Sequence, residues 1–341
     1  MYKTITVIIP TYNKAKYIEK TIQSVFQQTY KDWEIVIVDD CSADDTETIV
    51  QKYLSDKIRY FRHARNWGPG ATFNDGIKKS NSEYATLIAS DDILLPNHLE
   101  QVMLQFAKDD FVETVFPKLK VIDEAGNYLN RIIQQPFLDK YKMLNHLFYA
   151  GNDIPSPGVS FRKTLFNKIA DYNQNLIIMH DYDLNVRCLM NGKTSTVNET
   201  TVLYRRFSNP IINLSGDTKW YDMCHSIESK FVLDNYLHLD YDEMKKVFPQ
   251  LANCNREEIK FRLLVDTCKN NQLRLSSWAF EHLVTYFEDN KDFIINNALD
   301  FQYKDYINLY KISTKNIVGK THKKKLYNGT KIFIKKIFGL N

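Results

Sequence analysis

Ile5-Thr6-Val7-Ile8-Ile9, then Ala15, Ile18, Ile22, Val25 and Phe26, then Ile35-Val36-Ile37-Val38: the reading of these residues decides the fold. The first and third groups are β-rich apolar runs of buried-strand length, and the second recurs at helical spacing. Together they form a βαβ unit. The alternation continues outward, with a helix over about 44–55, a strand over 58–62, a helix over about 70–80 and a strand over 84–88. Strands alternating with helices predict an α/β fold with a mostly parallel central sheet, whose ligands bind beyond the carboxyl ends of the strands.

At 341 residues, 44% hydrophobic and 25% charged, the chain has the composition of a globular protein and length for one large domain or two modest ones. No run approaches a membrane span, and Met1-Tyr2-Lys3-Thr4 leads into a strand rather than a signal-peptide apolar stretch, which predicts a cytoplasmic chain. The five cysteines are scattered without a CxxC pair, so they read as reduced thiols rather than a disulfide framework or zinc site. From about residue 216 strand patterning fades and a helical region follows to 314. Residues 315–341 hold eight lysines and no acid, against a net charge of +4, so the body of the chain is acidic. The expected organisation is therefore 1–215, 216–314 and a basic tail 315–341.

Polar residues should matter most where they follow strands. Pro10-Thr11-Tyr12-Asn13 ends the first strand and opens a helix, where unpaired amides favour an anionic or polar ligand; Thr11 or Asn13 capping that helix explains the same residues. Asp39 and Asp40 end the second strand. Adjacent carboxylates raise each other's pKa unless a cation or donor offsets them, and an imide N–H or ribose hydroxyls would serve. Asp44 or Asp45 reads as a cap. Ala89-Ser90-Asp91-Asp92 ends the fourth strand, and two hard oxygens there suit Mg²⁺ or Mn²⁺ on a diphosphate.

Three segments in order, PTYNKAKYIEKTIQSVFQQTYKDWEIVIVDDCSADDT (10–46), NWGPGATFNDGIKKSNSEYATLIASDD (66–92) and HDYDLNVRCLMNGK (180–193), resemble glycosyltransferase family 2, inverting enzymes of the GT-A fold. The resemblance covers about residues 4–207. It implies a GT-A nucleotide-sugar-binding domain in which Pro10, Thr11, Tyr12 and Asp40 line the nucleobase pocket, with Asp40 accepting from the uracil imide of a UDP-sugar. Asn66, Gly68 and Asn74 match the loop and helix beside the nucleotide. Asp91 and Asp92 match the acidic motif that meets the sugar or ribose and the Mn²⁺ or Mg²⁺ cofactor; Asp92 is expected as the direct ligand, and Ala89 replaces the usual first acid. Asp181 falls at the base position, with His180 as its rival. Tyr204-Arg205-Arg206-Phe207 resembles a late loop in which Phe207 replaces a histidine. Arg205, Arg206 or water would then meet the diphosphate.

A dinucleotide site fails, because Phe73 stands where the third glycine after Gly68-Pro69-Gly70 is needed, and there is no P-loop. The expected activity is metal-dependent inverting transfer of a hexose or N-acetylhexosamine from a UDP-sugar to a hydroxyl of a cell-surface glycan or lipid-linked glycan. The competing reading is a non-catalytic nucleotide-sugar-binding or membrane-docking protein with a vestigial transferase domain. In the tail, Phe333, Ile337 and Leu340 share one helical face and Asn328, Lys331 and Lys335 another. A solvated charge run and attachment to an anionic membrane surface both fit; the aliphatic face favours the membrane over nucleic acid and predicts a peripheral position on the inner face of the plasma membrane. The helical region, with Trp220, Tyr221 and Trp278, is expected to stack on sugars, pack as core, or join copies into a homo-oligomer.

Overall fold

The computed structural model describes residues 3–208, 218–290 and 303–314. The chain divides into two compact units, Met1–Glu228 and Ser229–Asn341.

The first unit opens with β1 (Ile5–Thr11), α1 (Ala15–Phe26) and β2 (Trp33–Asp39). Alternate residues Ile5, Val7 and Ile9 of β1 and Ile35 and Ile37 of β2 point to one sheet face, where Ile18, Ile22 and Val25 of α1 cover them. The parallel register sets Thr11 opposite Asp39, so both strands end side by side. Next come α2 (Thr46–Gln51), β3 (Ile58–Arg62), α3 (Pro69–Lys79), β4 (Tyr84–Leu87), β5 (Ile93–Leu94), α4 (His98–Lys108), β6 (Val112–Phe116), β7 (Leu119–Ile122) and β8 (Tyr128–Ile133). The unit continues with α5 (Lys140–Ala150), β9 (Ser160–Arg162), α6 (Phe166–Ile169), α7 (His180–Asn191), β10 (Lys193–Thr196) and β11 (Val202–Arg205).

Seven strands form the central sheet in the order β10-β6-β9-β4-β1-β2-β3. It is parallel except at β9, which runs antiparallel to β4 and β6. A second sheet has the order β5-β11-β7-β8, and its β11 brings Arg205 back towards the acids that follow β4. Neither β9 nor this sheet follows from the alternation of periods, because β9 has three residues and β5 two, too few to show a period.

Two glycines place α3. Gly68, at φ +85, turns the chain into Pro69 at the helix start. A Cβ at Gly76 would stand 2.3 Å from Ile8 Cγ2, so only glycine lets α3 lie this close to β1.

Helix α8 (Thr218–Asp234) ends the first unit and begins the second, which continues with α9 (Tyr241–Val247), α10 (Ile259–Cys268), α11 (Leu273–Asp289) and α12 (Tyr303–Thr314). Trp278 is a core residue: its ring is fully buried and its indole N–H donates to Asp234 Oδ1 at 2.7 Å. The side chains of Trp220 and Tyr221, the expected boundary at 215 and the basic tail 315–341 lie outside the described residues. Among the described residues no helix is long and apolar enough to cross a membrane. All five cysteines are free thiols.

Candidate active site

The carboxyl ends of β1, β2 and β4 lie in neighbouring positions, and the polar residues gathered there differ in how fully they are satisfied. After β1, Asn13 takes a left-handed conformation (φ 52), in which its N–H donates to Ser42 Oγ and its side-chain oxygen accepts from the Ala43 amide. The amides that open α1 are capped from across the site: Lys14 donates to Thr46 Oγ1 and Ala15 to Asp44 Oδ2. Asp44 is therefore a cap for α1, and it also accepts from the Thr46 amide at the start of α2. Tyr12 is half exposed, Pro10 half-buried, and the buried Thr11 hydroxyl lacks a hydrogen-bond partner among the described residues.

Asp39 and Asp40 end β2 with different partners. Asp39, wholly buried, accepts from the Ser42 amide at 2.7 Å, the Tyr60 hydroxyl at 2.6 Å and Arg62 at 3.3 Å. Burial and then Asp39 push the Tyr60 pKa up. Asp40 turns the other way: Oδ1 meets His63 Nδ1 and the Trp67 amide, each at 2.8 Å, and Oδ2 accepts from the Gly68 amide at 2.8 Å. His63 continues to Asp75 Oδ2 through Nε2. Asn66 lies exposed and also accepts from the Gly68 amide. A carboxylate offers about four acceptor positions, so Asp40 keeps one for a further donor.

Asp91 and Asp92 are less complete. Asp92 is 1% exposed; Oδ1 accepts from the Arg205 amide at 2.7 Å, and Oδ2, although buried, has no partner among the described residues. Burial, and then the charge of Asp91, push the Asp92 pKa well above the usual carboxylate range. Asp91 Oδ2 pairs with Lys14 Nζ at 2.7 Å, and that ammonium also lies 4.6 Å from the Phe207 ring centre. Arg205 is buried and donates to the carbonyls of Asp91, Asp123 and Glu124, so its guanidinium is committed to backbone.

These residues fit a divalent cation. The buried Asp92 Oδ2, with no partner among the described residues, is a hard oxygen beside a second carboxylate, the kind of donor such an ion takes. Among the described residues no group of three His, Cys, Asp or Glu side chains could hold a metal, so such an ion would take one or two protein ligands and complete its shell with phosphate oxygens and water, as Mg²⁺ commonly does.

Asp181 stands in the first turn of α7. Its Oδ2 accepts from Ser156 Oγ at 2.9 Å and its Oδ1 from the Tyr182 amide at 2.7 Å, leaving each oxygen a free lone pair. Ser156 sits in a loop tied to the end of β4, because the Gly158 amide donates to the Leu87 carbonyl at 2.6 Å. Gly158 (φ +85) has no room for a side chain, since a Cβ would lie 2.6 Å from Val202 Cγ2. Burial raises the Tyr204 pKa most, the charges of Asp92 and Asp181 add to this, and Arg206, donating to the hydroxyl at 3.0 Å, opposes it.

Two buried side chains position α7. Asn74 exchanges hydrogen bonds with the backbone of Tyr172, N–H to carbonyl and amide to side-chain oxygen, each 2.9 Å. Glu228, from α8, accepts from the amides of Ile177, Ile178 and Met179, all at 2.9 Å. A carboxylate at that place completes the amides ahead of α7 and matches the helix dipole. His180 turns its Nδ1 to the Ile177 carbonyl and its ring towards Phe73 and Tyr172.

The structure thus gathers Asp91, Asp92 and Arg205 at one centre, Asp40, Asn66 and Gly68 at another, and sets Asp181 on the Ser156 side. Asn74 is buried and holds backbone. Sequence reasoning missed Lys14, His63, Ser156 and Glu228. The Ser156-Pro157-Gly158 turn was a usable signal; Glu228, 49–51 residues from the amides it caps, left none.

The sequence pattern of glycosyl transferase family 2 matches residues 6–170. An uncharacterized glycosyltransferase of Rickettsia typhi is 35% identical over 187 residues, 53% of this chain and 57% of the relative, so the chain spans little more than half of that relative's length. Residues 1–349 of S. aureus TarS in complex with UDP-GlcNAc share the fold at a TM-score of 0.58 and 18% identity, over 91% of this chain and 90% of the other. A mannosyltransferase from Pyrobaculum calidifontis in complex with GDP-Man and Mn²⁺ does so at 0.54 and 13%, over 94% and 88%. Through residues 6–170 the chain belongs to glycosyl transferase family 2, on a GT-A-like α/β fold with a mostly parallel central sheet.

Proposed function

We propose that the protein is a metal-dependent inverting glycosyltransferase that moves a hexose or N-acetylhexosamine from a UDP-sugar to a hydroxyl of a growing cell-surface glycan. The observation that carries this reading is the pairing of an incomplete acidic centre, Asp91 and Asp92, which follows β4, with a second carboxylate, Asp181, whose partner Ser156 lies in a loop bonded to the end of the same strand. The UDP-GlcNAc held by TarS supports the donor class, and the Mn²⁺ of the mannosyltransferase supports the cofactor.

In this reading Pro10, Thr11, Tyr12, Asp40, Asn66 and Gly68 form the nucleoside side of the pocket, and Asp40 uses its remaining acceptor position for the uracil imide. Asn74 acts there by fixing the Tyr172 segment, and Arg205 by holding the carbonyl of Asp91 and, through its amide, Asp92. Asp92, with Asp91, would hold Mn²⁺ or Mg²⁺, which supplies charge stabilisation for the departing diphosphate. Asp181 takes the proton of the acceptor hydroxyl as that oxygen bonds to the anomeric carbon. The bond from that carbon to the diphosphate oxygen breaks, UDP leaves with the electron pair, and configuration inverts. Ser156 keeps the Asp181 carboxylate turned to the acceptor. The basic tail docks the enzyme peripherally on anionic lipid at the inner face of the plasma membrane, near a lipid-linked acceptor.

Asp181→Asn tests the base: transfer should fall about 10²–10⁴-fold with UDP-sugar affinity unchanged. Full transfer by this variant would overturn the assignment. Removal of 315–341 should abolish flotation with anionic vesicles and leave UDP affinity intact; unchanged flotation would remove the membrane part of the reading.

A further inference from the structure

Lys14 ends the loop after β1, and its side chain crosses to the acids that follow β4. Its Nζ lies 2.7 Å from Asp91 Oδ2, with the two side chains 20% and 15% exposed, and rests against the face of Phe207. Its positive charge also acts on Asp92. The main chain of Lys14 has separate duties, since its amide donates to Thr46 Oγ1 and its carbonyl accepts from Tyr17 and Ile18. The ammonium therefore occupies an oxygen of Asp91 that an incoming cation would seek.

Charge balance sets how this lysine must respond to ligand. Two carboxylates and a divalent ion are together neutral, so Lys14 would stand beside the metal without a counter-charge. A donor diphosphate at the same strand ends supplies that counter-charge, and the flexible four-carbon stem of lysine allows the ammonium to turn to it. We propose that Lys14 is an internal counter-cation of the acidic pair, which holds Asp91 in the empty site, competes there with the divalent ion, and moves to a diphosphate oxygen when donor binds. The proposal rests on the nucleotide-sugar reading of the site and adds a donor-binding residue to it.

Calorimetry with UDP, in EDTA and in excess Mn²⁺, tests this on wild type, Lys14→Met and Lys14→Arg. In EDTA, Lys14→Met should bind UDP about tenfold more weakly than wild type, whereas Lys14→Arg stays close to it. In Mn²⁺ the deficit should shrink, because the metal no longer displaces an ammonium, so the factor by which Mn²⁺ tightens UDP should rise several-fold in Lys14→Met. Mn²⁺ alone should also raise the melting temperature of Lys14→Met more than that of wild type. An unchanged Mn²⁺ factor, or an equal or smaller Mn²⁺ thermal shift, overturns the competition. Unchanged UDP affinity in EDTA overturns the move to the diphosphate. Failure of wild type to bind UDP in either condition would sink the UDP reading itself, while the Mn²⁺ thermal shift still decides whether ammonium and metal compete.

Discussion

Asp39–Asp40 and Asp91–Asp92 are both adjacent aspartates at the carboxyl ends of parallel strands, yet they are finished to different degrees. The first pair is met by a tyrosine hydroxyl, an arginine, a histidine and three backbone amides. The second has one lysine, one backbone amide and a buried oxygen with nothing donating to it among the described residues. A buried carboxylate costs free energy unless it is paired and hydrogen-bonded. A fold that completes one such pair and leaves the other incomplete has placed that cost where a ligand can relieve it. The first pair belongs chiefly to the scaffold, with one acceptor position to spare on each carboxylate, and in the proposed site the second is left for the ligand.

The largest test of this contrast is removal of a finished carboxylate. Asp39→Ala strands the Tyr60 hydroxyl and the Ser42 amide, and should lower stability by about 3 kcal/mol, read from denaturant unfolding. Little change would mean that the Asp39 bonds contribute no net stability. The same operation on the unfinished pair should have the opposite sign. Asp92→Asn keeps an oxygen for the Arg205 amide while removing a charge that burial and Asp91 disfavour, so the metal-free protein should gain stability. Its melting temperature should no longer respond to Mn²⁺, and a retained Mn²⁺ response would move the metal away from Asp92. The smallest effect should come from His63→Ala, which takes one of three partners from Asp40. A loss of about 1 kcal/mol and a few-fold weaker UDP binding are expected. A stability loss as large as that of Asp39→Ala would erase the distinction between the two members of the first pair.

The sequence carries this contrast only in part. Strand-ending acids are visible because the β1-α1-β2 unit is written in local apolar periods, and periods are what a single sequence displays. The partners that separate Asp39 from Asp92 are not local: Tyr60 and Arg62 come from β3, Arg205 from β11 more than a hundred residues away, and Lys14 from the neighbouring strand end. Arg205 shows the same limit from the other side. Its charge suggests a phosphate partner in the sequence, whereas its position in the fold turns it to three carbonyls. Asp181 is reached through the resemblance of residues 180–193, but its setting by Ser156 and Glu228 depends on chain returning from α5 and α8, which no local pattern records.

Glu228 bears on how such chains can be recombined. Its carboxylate completes the amides in front of α7, yet it is carried on a helix that sequence composition assigns to the following region. Two halves exchanged between relatives at residue 215 would pair one parent's α7 with the other parent's residue at 228, and a mismatch there would loosen the turn that presents Asp181. A crossover placed after 228 keeps the cap and the helix it caps in a single inheritance, so the later helices could be traded without disturbing the turn ahead of Asp181.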